Sequence, residues 1–138
     1  MWWIYALLSA LFASLTAVFA KIGISNINSN LATAIRTVVV LVMIWGIVIV
    51  RGETKEITSL SKTNIIFLAI SGIATGLSWI FYFKALQMGD VSKVAPIDKL
   101  SIALTIILAA VFLRETIDTK TAIGAGLIIA GTIVLLLK

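Results

Sequence analysis

Five long apolar runs, separated by polar stretches, make up almost the whole chain. An apolar helix of about 20 residues is long enough to cross the ~30 Å hydrocarbon layer of a membrane. Each run is therefore predicted to form one membrane-spanning helix. The predicted helices cover residues 2–20, 31–50, 65–83, 92–113 and 121–137.

The polar stretches between these runs are mostly short, so successive helices are expected to run antiparallel and to pack as one bundle. The longest and most charged stretch is Arg51–Asn64. We predict an all-α membrane protein with five transmembrane helices, in which residues 1–138 form a single domain.

Composition supports a membrane protein. Hydrophobic residues make up 61% of the 138 residues and charged residues only 12%, whereas about a quarter of a soluble domain is charged. The net charge of +5 comes from basic residues that mostly flank the apolar runs. This placement favours phospholipid headgroups over nucleic acid as the partner. We expect a multi-pass protein of the cell membrane that binds no nucleic acid.

The residue types that carry most catalytic and metal chemistry are missing from the sequence. It contains no cysteine and no histidine, which excludes disulfides, thiol chemistry, haem and the common zinc sites. It also contains no paired carboxylates and no phosphate-binding loop that would support catalysis. We expect no metal site, no cofactor and no enzymatic activity.

The first apolar run has one feature of a cleaved signal peptide, because Val18, Phe19 and Ala20 resemble a small-residue cleavage site. A signal peptide also begins with basic residues, and none precedes this run. The first run is therefore expected to stay in place as a helix.

Basic residues are nearly balanced between the two ends of the predicted helices. The side of the N-terminus carries five, and the opposite side carries four, or six if Arg36 and Lys99 are counted. The first group is Arg51, Lys55, Lys62, Arg114 and Lys120, and the second is Lys21, Lys84, Lys93 and Lys138.

Orientation in the membrane follows the imbalance of lysine and arginine between the two sides. Without an imbalance, the chain is predicted to insert both ways and to form an antiparallel homodimer. Such a pair is an inverted ten-helix arrangement, which many transporters build within a single chain. The alternative is one fixed orientation with an accidental balance of charge.

Aromatic residues near helix ends are typical anchors at the membrane surface. Trp79 and Tyr82 lie near the end of the third run, where they act either as such anchors or as lining for a substrate cavity. Both are candidate substrate-binding residues.

Small residues at regular spacing let helices approach closely in lipid. Gly72 and Gly76 form such a pair in the third run, and Gly126 and Gly131 lie in a glycine- and alanine-rich fifth run. These four glycines are the predicted helix-packing residues, within the bundle or between two copies.

Three stretches together resemble an EamA domain, the repeating unit of the drug/metabolite transporter superfamily. "ALLSALFASLTAVFAKIGI" (Ala6–Ile24) is similar to its first helix and terminal lysine, and "GIATGLSWIFYFKALQMG" (Gly72–Gly89) to its third helix. Residues 85–137 resemble its second part, with Pro96 in the fourth helix, Glu115 closing it and a glycine-rich fifth helix. Most members carry two such domains. The resemblance to single-domain members implies a small-metabolite transporter that acts as a dimer, without implying a substrate.

Three charged residues lie inside the predicted helices, at similar depth near one membrane face. Arg36 is about five residues into the second helix, or ~7.5 Å deep. Asp98 and Lys99 are six and seven residues into the fourth helix, or roughly 9–10 Å deep. Pro96 leaves the fourth helix without one hydrogen-bond donor and is expected to loosen it there.

Charged residues within membrane spans usually face a bundle interior or an aqueous cavity and mark a pathway. Arg36, Asp98 and Lys99 are therefore predicted to line a polar vestibule that binds solute. The excess of positive charge near this face favours an anionic or zwitterionic solute. The alternative is that these long side chains reach the headgroups and that Arg36 pairs with Asp98 only structurally.

The function that fits these features best is secondary transport of a small metabolite. A non-transporting scaffold or regulatory subunit and a lipid flippase are the alternatives. The sequence indicates neither the direction of transport nor a coupling ion.

Overall fold

In the computed structural model, which describes residues 1–137, short connections join a series of helices. The helices are α1 (Trp2–Gly23), α2 (Ser29–Val50), α3 (Lys62–Met88), α4 (Val91–Asp98), α5 (Leu100–Leu108) and α6 (Thr119–Leu136). A 3-10 helix (Glu53–Ser59) follows α2 and a π turn (Ala109–Leu113) follows α5. Lys138, one of the basic residues assigned to a membrane side, lies outside the described residues.

Five stretches of the described chain are long and apolar enough to cross a membrane. They are Trp2–Gly23, Ser29–Val50, Lys62–Met88, Val91–Leu113 and Thr119–Leu136. Residues 1–137 contain no β-strand. The prediction of an all-α membrane protein with five transmembrane helices is confirmed.

The third helix is longer than its apolar run. The sequence predicted residues 65–83, whereas α3 has 27 residues and is about 40 Å long at 1.5 Å per residue. Only Gly89 and Asp90 connect α3 to α4, so the predicted polar joint is mostly helix. Hydropathy detects only the part of a helix that is apolar enough to lie in the hydrocarbon layer. Polar residues that favour helix, such as Lys84 and Gln87, continue the helix beyond that layer.

The fourth predicted helix is interrupted at its charged pair. α4 ends at Asp98 and α5 begins at Leu100. Pro96 has no N–H to donate and disturbs the turn before it. Beyond it, the Lys99 N–H donates to the Pro96 carbonyl at 3.0 Å, across three residues instead of four. The interruption is one residue, Lys99, which keeps right-handed backbone angles (φ −71°, ψ −6°), and it agrees with the loosening expected from the proline.

Side-chain caps and backbone geometry define several helix ends. Asn28 Oδ1 accepts a hydrogen bond from the Asn30 N–H (2.8 Å) at the start of α2, and Asp118 Oδ1 accepts one from the Thr121 N–H (3.0 Å) at the start of α6. Hydrogen bonding by the side chain and backbone of Thr121 holds the pKa of the Asp118 carboxyl below its usual value. Arg114 ends the π turn in the left-handed region, with a φ of 56°.

The chain divides into two compact units. One consists of Met1–Ala17 and Gly89–Lys138, and the other of Val18–Met88. In the first unit α6 packs against α4 and α5, and in the second unit α2 packs against α3. The candidate substrate-binding residues fall in both units: Asp98 and Lys99 in the first, and Arg36, Trp79 and Tyr82 in the second.

Few side chains are buried among the described residues. No more than 6% of the most apolar part of any span is buried. The buried apolar residues are Ala17, Ile24, Phe83, Leu86 and Ala103. Most of the apolar helix surface is therefore left for lipid or for another protein molecule to cover.

The predicted helix-packing glycines face open space. A methyl group added at Gly72, Gly76, Gly126 or Gly131 meets no atom of a neighbouring element within 4 Å. Their role in packing within the bundle stays a prediction. Their use between two copies stays a prediction.

Candidate substrate-binding site

The most distinctive polar group in the second unit is the Arg36 guanidinium, which lies over two aromatic rings of α3. Its Cζ atom is 4.4 Å from the centroid of the Trp79 ring and 5.0 Å from that of the Phe83 ring. Both distances are within the ~6 Å over which a cation is attracted to an aromatic face. We call Arg36, Trp79 and Phe83 the arginine–aromatic cluster.

The antiparallel packing of α2 and α3 explains why these residues meet. Arg36 lies seven residues after Ser29, about 10 Å from the start of α2. Trp79 and Phe83 lie nine and five residues before the end of α3, about 13 Å and 7 Å from it. Residues four apart share one face of a helix, so α3 presents both rings to α2 on either side of the level of Arg36.

This end of α3 is held by two side chains that bond to backbone. Lys21 Nζ, near the end of α1, donates to the Leu86 carbonyl at 2.6 Å. Gln87 Nε2 donates to the Ile27 carbonyl in the α1–α2 connection at 2.8 Å. Leu86 is fully buried and Phe83 is 2% exposed. The two rings of the arginine–aromatic cluster therefore belong to a part of α3 that is tied to α1 and to the α1–α2 connection.

Tyr82 lies beside the cluster. Its ring is half-buried and meets the Phe83 ring edge to face, with centroids 6.1 Å apart and an angle of 75°. Arg36, Trp79 and Tyr82 were predicted from the sequence as candidates in this region, whereas Phe83 was not. The four-residue spacing from Trp79 to Phe83 was the signal that would have identified it.

Asp98 and Lys99 lie together at the break between α4 and α5. Lys99 Nζ is 3.4 Å from Asp98 Oδ2, and their side chains are 50% and 34% exposed. Each is therefore an accessible charge at a helix discontinuity. The expected structural pairing of Arg36 with Asp98 joins residues of different units and stays a prediction.

A buried hydroxyl lies beside the same break. Thr132 of α6 is 3% exposed. Its hydroxyl donates to the Ile128 carbonyl at 2.8 Å and, more weakly, to the Pro96 carbonyl at 3.4 Å. The second contact links α6 to the loosened turn that precedes the charged pair.

Several other hydroxyls within the spans are satisfied inside their own helices. Those of Thr33, Thr37, Thr75 and Thr105 each donate to the carbonyl four residues earlier, at 2.8–2.9 Å. Such bonds satisfy the polar group without a partner from another helix.

Residues 1–137 of the chain match the EamA-like transporter family. The chain therefore belongs to this family, and the resemblance seen in the sequence is confirmed. It is a membrane transporter by family, with five helices that are long and apolar enough to span a membrane.

Two relatives resemble the chain over nearly its whole length. An uncharacterized transporter encoded in the cobO 3' region of Sinorhizobium sp. is 48% identical over 134 residues, covering 97% of this chain and 95% of the relative. An uncharacterized protein of Methanocaldococcus jannaschii is 28% identical over 132 residues, covering 96% and 93%. No solved structure matches the chain.

Proposed function

We propose that the chain is a secondary transporter that moves a small metabolite across the cell membrane as a homodimer. The observation that carries the proposal is the placement of charge in a chain of the EamA-like transporter family. Among 22 residues of α2, the only charged one is Arg36, and the fourth span is broken at Asp98 and Lys99.

A broken helix is suited to binding within a membrane. Irregular backbone at membrane depth is tolerated where protein covers it or where it lines an aqueous cavity, and many transporters bind solute at discontinuous helices. At the break in this chain, the ammonium of Lys99 and the carboxylate of Asp98 are both accessible. We infer that the solute uses these two charges during transport.

Two further observations support the homodimer. Each span has at most 6% of its most apolar part buried, and the helix-packing glycines meet nothing within 4 Å. Transporter folds commonly consist of two related halves around a central site. Two copies of this chain supply ten spans, and the balanced basic residues favour opposite insertion of the copies.

Transport is tested by uptake into liposomes that contain the purified protein. A panel of radiolabelled amino acids, hydroxy acids, amines and sugars covers the main charge types. We expect at least one solute to enter faster than into protein-free liposomes. A folded dimer that accelerates none of them, but moves fluorescent phospholipid between leaflets, would favour the flippase function instead.

Two substitutions connect uptake to the helix break. Lys99→Met keeps the length of the side chain and removes its charge, so uptake should fall while folding is retained. Asp98→Asn should also lower uptake, because it removes the negative partner of a lysine held 3.4 Å away and one of the two accessible charges. Lys120→Met, near the start of α6, is the matched control and should leave uptake unchanged. Parent-like uptake by both variants at the break would show that these charges only anchor the helix.

A further inference from the structure

The Arg36 side chain is stacked on aromatic rings and has no carboxylate partner within its unit. Among residues 18–88, the guanidinium makes no ion pair and donates no side-chain hydrogen bond, and it interacts electrostatically with Tyr82. The basic residue at the other end of α2 differs, since Arg51 is paired with Glu53 at 3.5 Å. The closest contacts of Arg36 with this unit that the geometry defines are those with the faces of Trp79 and Phe83.

Ring stacking leaves the hydrogen-bonding capacity of the guanidinium unused. The group is planar and carries five N–H donors along its edge. A cation over an aromatic ring is attracted to the ring face, which accepts no conventional hydrogen bond from that edge. In an apolar surrounding, unpaired donors are unfavourable, so an oxyanion that reaches the edge gains two hydrogen bonds and a charge interaction at once.

The supporting residues restrict where this edge can move. Phe83 is buried, and the following turn of α3 is tied to the end of α1 by the bond from Lys21 to the Leu86 carbonyl. Arg36 itself is half-buried. A guanidinium that is already positioned loses less freedom on binding than a free one.

We propose that Arg36, stacked on Trp79 and Phe83, is the subsite that binds the carboxylate of the transported solute. This inference rests on the proposed transport function and specifies its substrate class: small organic acids or zwitterions that carry one carboxylate. The carboxylate pairs with the N–H edge of Arg36, and the exposed part of the Trp79 ring contacts the apolar body of the solute.

The phosphate of a lipid headgroup has the same oxyanion chemistry and is the competing source. Binding is therefore measured in a maltoside detergent, which contains no phosphate. Trp79 is made the sole tryptophan by replacing Trp2, Trp3 and Trp45 with phenylalanine. Its fluorescence reports directly on the ring that contacts the guanidinium.

The probe is sodium butyrate, titrated at constant ionic strength against sodium chloride. We expect a saturable change in Trp79 emission with butyrate and none with butanol or butylammonium. Arg36→Lys keeps the charge but loses the two-donor edge. We expect its affinity for butyrate to be about tenfold lower than that of the parent. Arg36→Gln should abolish the response. Arg51→Gln, at the opposite end of α2, is the matched control and should respond like the parent.

An unchanged butyrate response in Arg36→Gln would overturn the proposal. So would a response to phosphatidylglycerol added to the detergent but not to butyrate, because Arg36 would then be a headgroup anchor. If Arg36→Gln does not fold, the butyrate affinities of the parent and of Arg36→Lys are compared instead. Equal affinities would refute the claim that the carboxylate binds the two-donor edge of Arg36. Butyrate binding without uptake of any solute by liposomes would uphold the subsite and count against transport. If Arg36→Gln still supports solute uptake and its Trp79 emission still responds to butyrate like that of the parent, the subsite is refuted and the transport function is not.

Discussion

Replacing Lys21 by methionine is expected to destabilise the end of α3 that carries the arginine–aromatic cluster. The Leu86 carbonyl is one of the last four in α3 and has no partner inside the helix. It accepts instead from Lys21 Nζ at 2.6 Å. Methionine has a similar length but provides neither the charge nor the hydrogen bond.

The size of the effect follows from the two interactions that are lost. A hydrogen bond to a charged group contributes about 1.5–3 kcal/mol. A cation at the C-terminal end of a helix contributes roughly 0.3–1 kcal/mol more. Since Leu86 is fully buried, water cannot easily replace the ammonium at this carbonyl. We expect Lys21→Met to lower the free energy of unfolding by about 2–3 kcal/mol.

The assay is unfolding of the purified protein in mild detergent by titration with dodecyl sulfate, followed by circular dichroism. Lys84→Met is the matched control, because Lys84 is an exposed lysine in the last turns of the same helix. It should change the unfolding free energy by less than about 0.5 kcal/mol. Equal stabilities of the two variants would refute the assignment of Lys21 as the cation that holds this helix end.

Four further substitutions test other elements of the fold. Leucine at Gly126 or Gly131 should leave the single chain folded, because added atoms there meet open space, and should lower the cross-linked dimer fraction; an unchanged fraction would show that these glycines face lipid. Asp118→Ala should be less stable than the parent at neutral pH, and the difference should disappear as the pH falls below about 4, since the lowered carboxyl pKa means that only the charged form is favoured by the Thr121 bonds. Persistence of the full difference at pH 2 would contradict this. Gly52→Ala should destabilise the α2–α3 connection by about 1 kcal/mol, because its φ is +70°, and thermal unfolding should show the loss.

The membrane spans were predictable because apolar length alone distinguishes lipid-crossing helices. The helix ends were less so. Hydropathy ended the third helix near Phe83, whereas α3 continues to Met88, since the polar residues beyond the lipid still favour helix. Pro96 correctly indicated a weak point in the fourth span, and the break lies at Lys99, a few residues further on.

The candidate site was only partly predictable. Sequence reasoning selected Arg36 as a charge inside an apolar run and Trp79 as an aromatic near a helix end, but it related Arg36 to Asp98. The contact with Trp79 and Phe83 depends on how far α2 is shifted relative to α3 along the helix axis. Hydropathy assigns helix ends to within a few residues, and one residue of shift rotates a side chain by about 100° around its helix. Sequence alone therefore does not determine which ring lies under the guanidinium.

The claim that two copies of the chain, inserted in opposite directions, make the transporter is tested most directly by cysteine labelling. The sequence has no cysteine, so Asn26→Cys and Thr54→Cys each introduce a single exposed label site, at opposite ends of α2. A membrane-impermeant maleimide is added from outside to intact cells, and the labelled fraction is compared with that after lysis. We expect each variant to be labelled to about one half from outside. Complete labelling of one variant and none of the other would contradict opposite insertion.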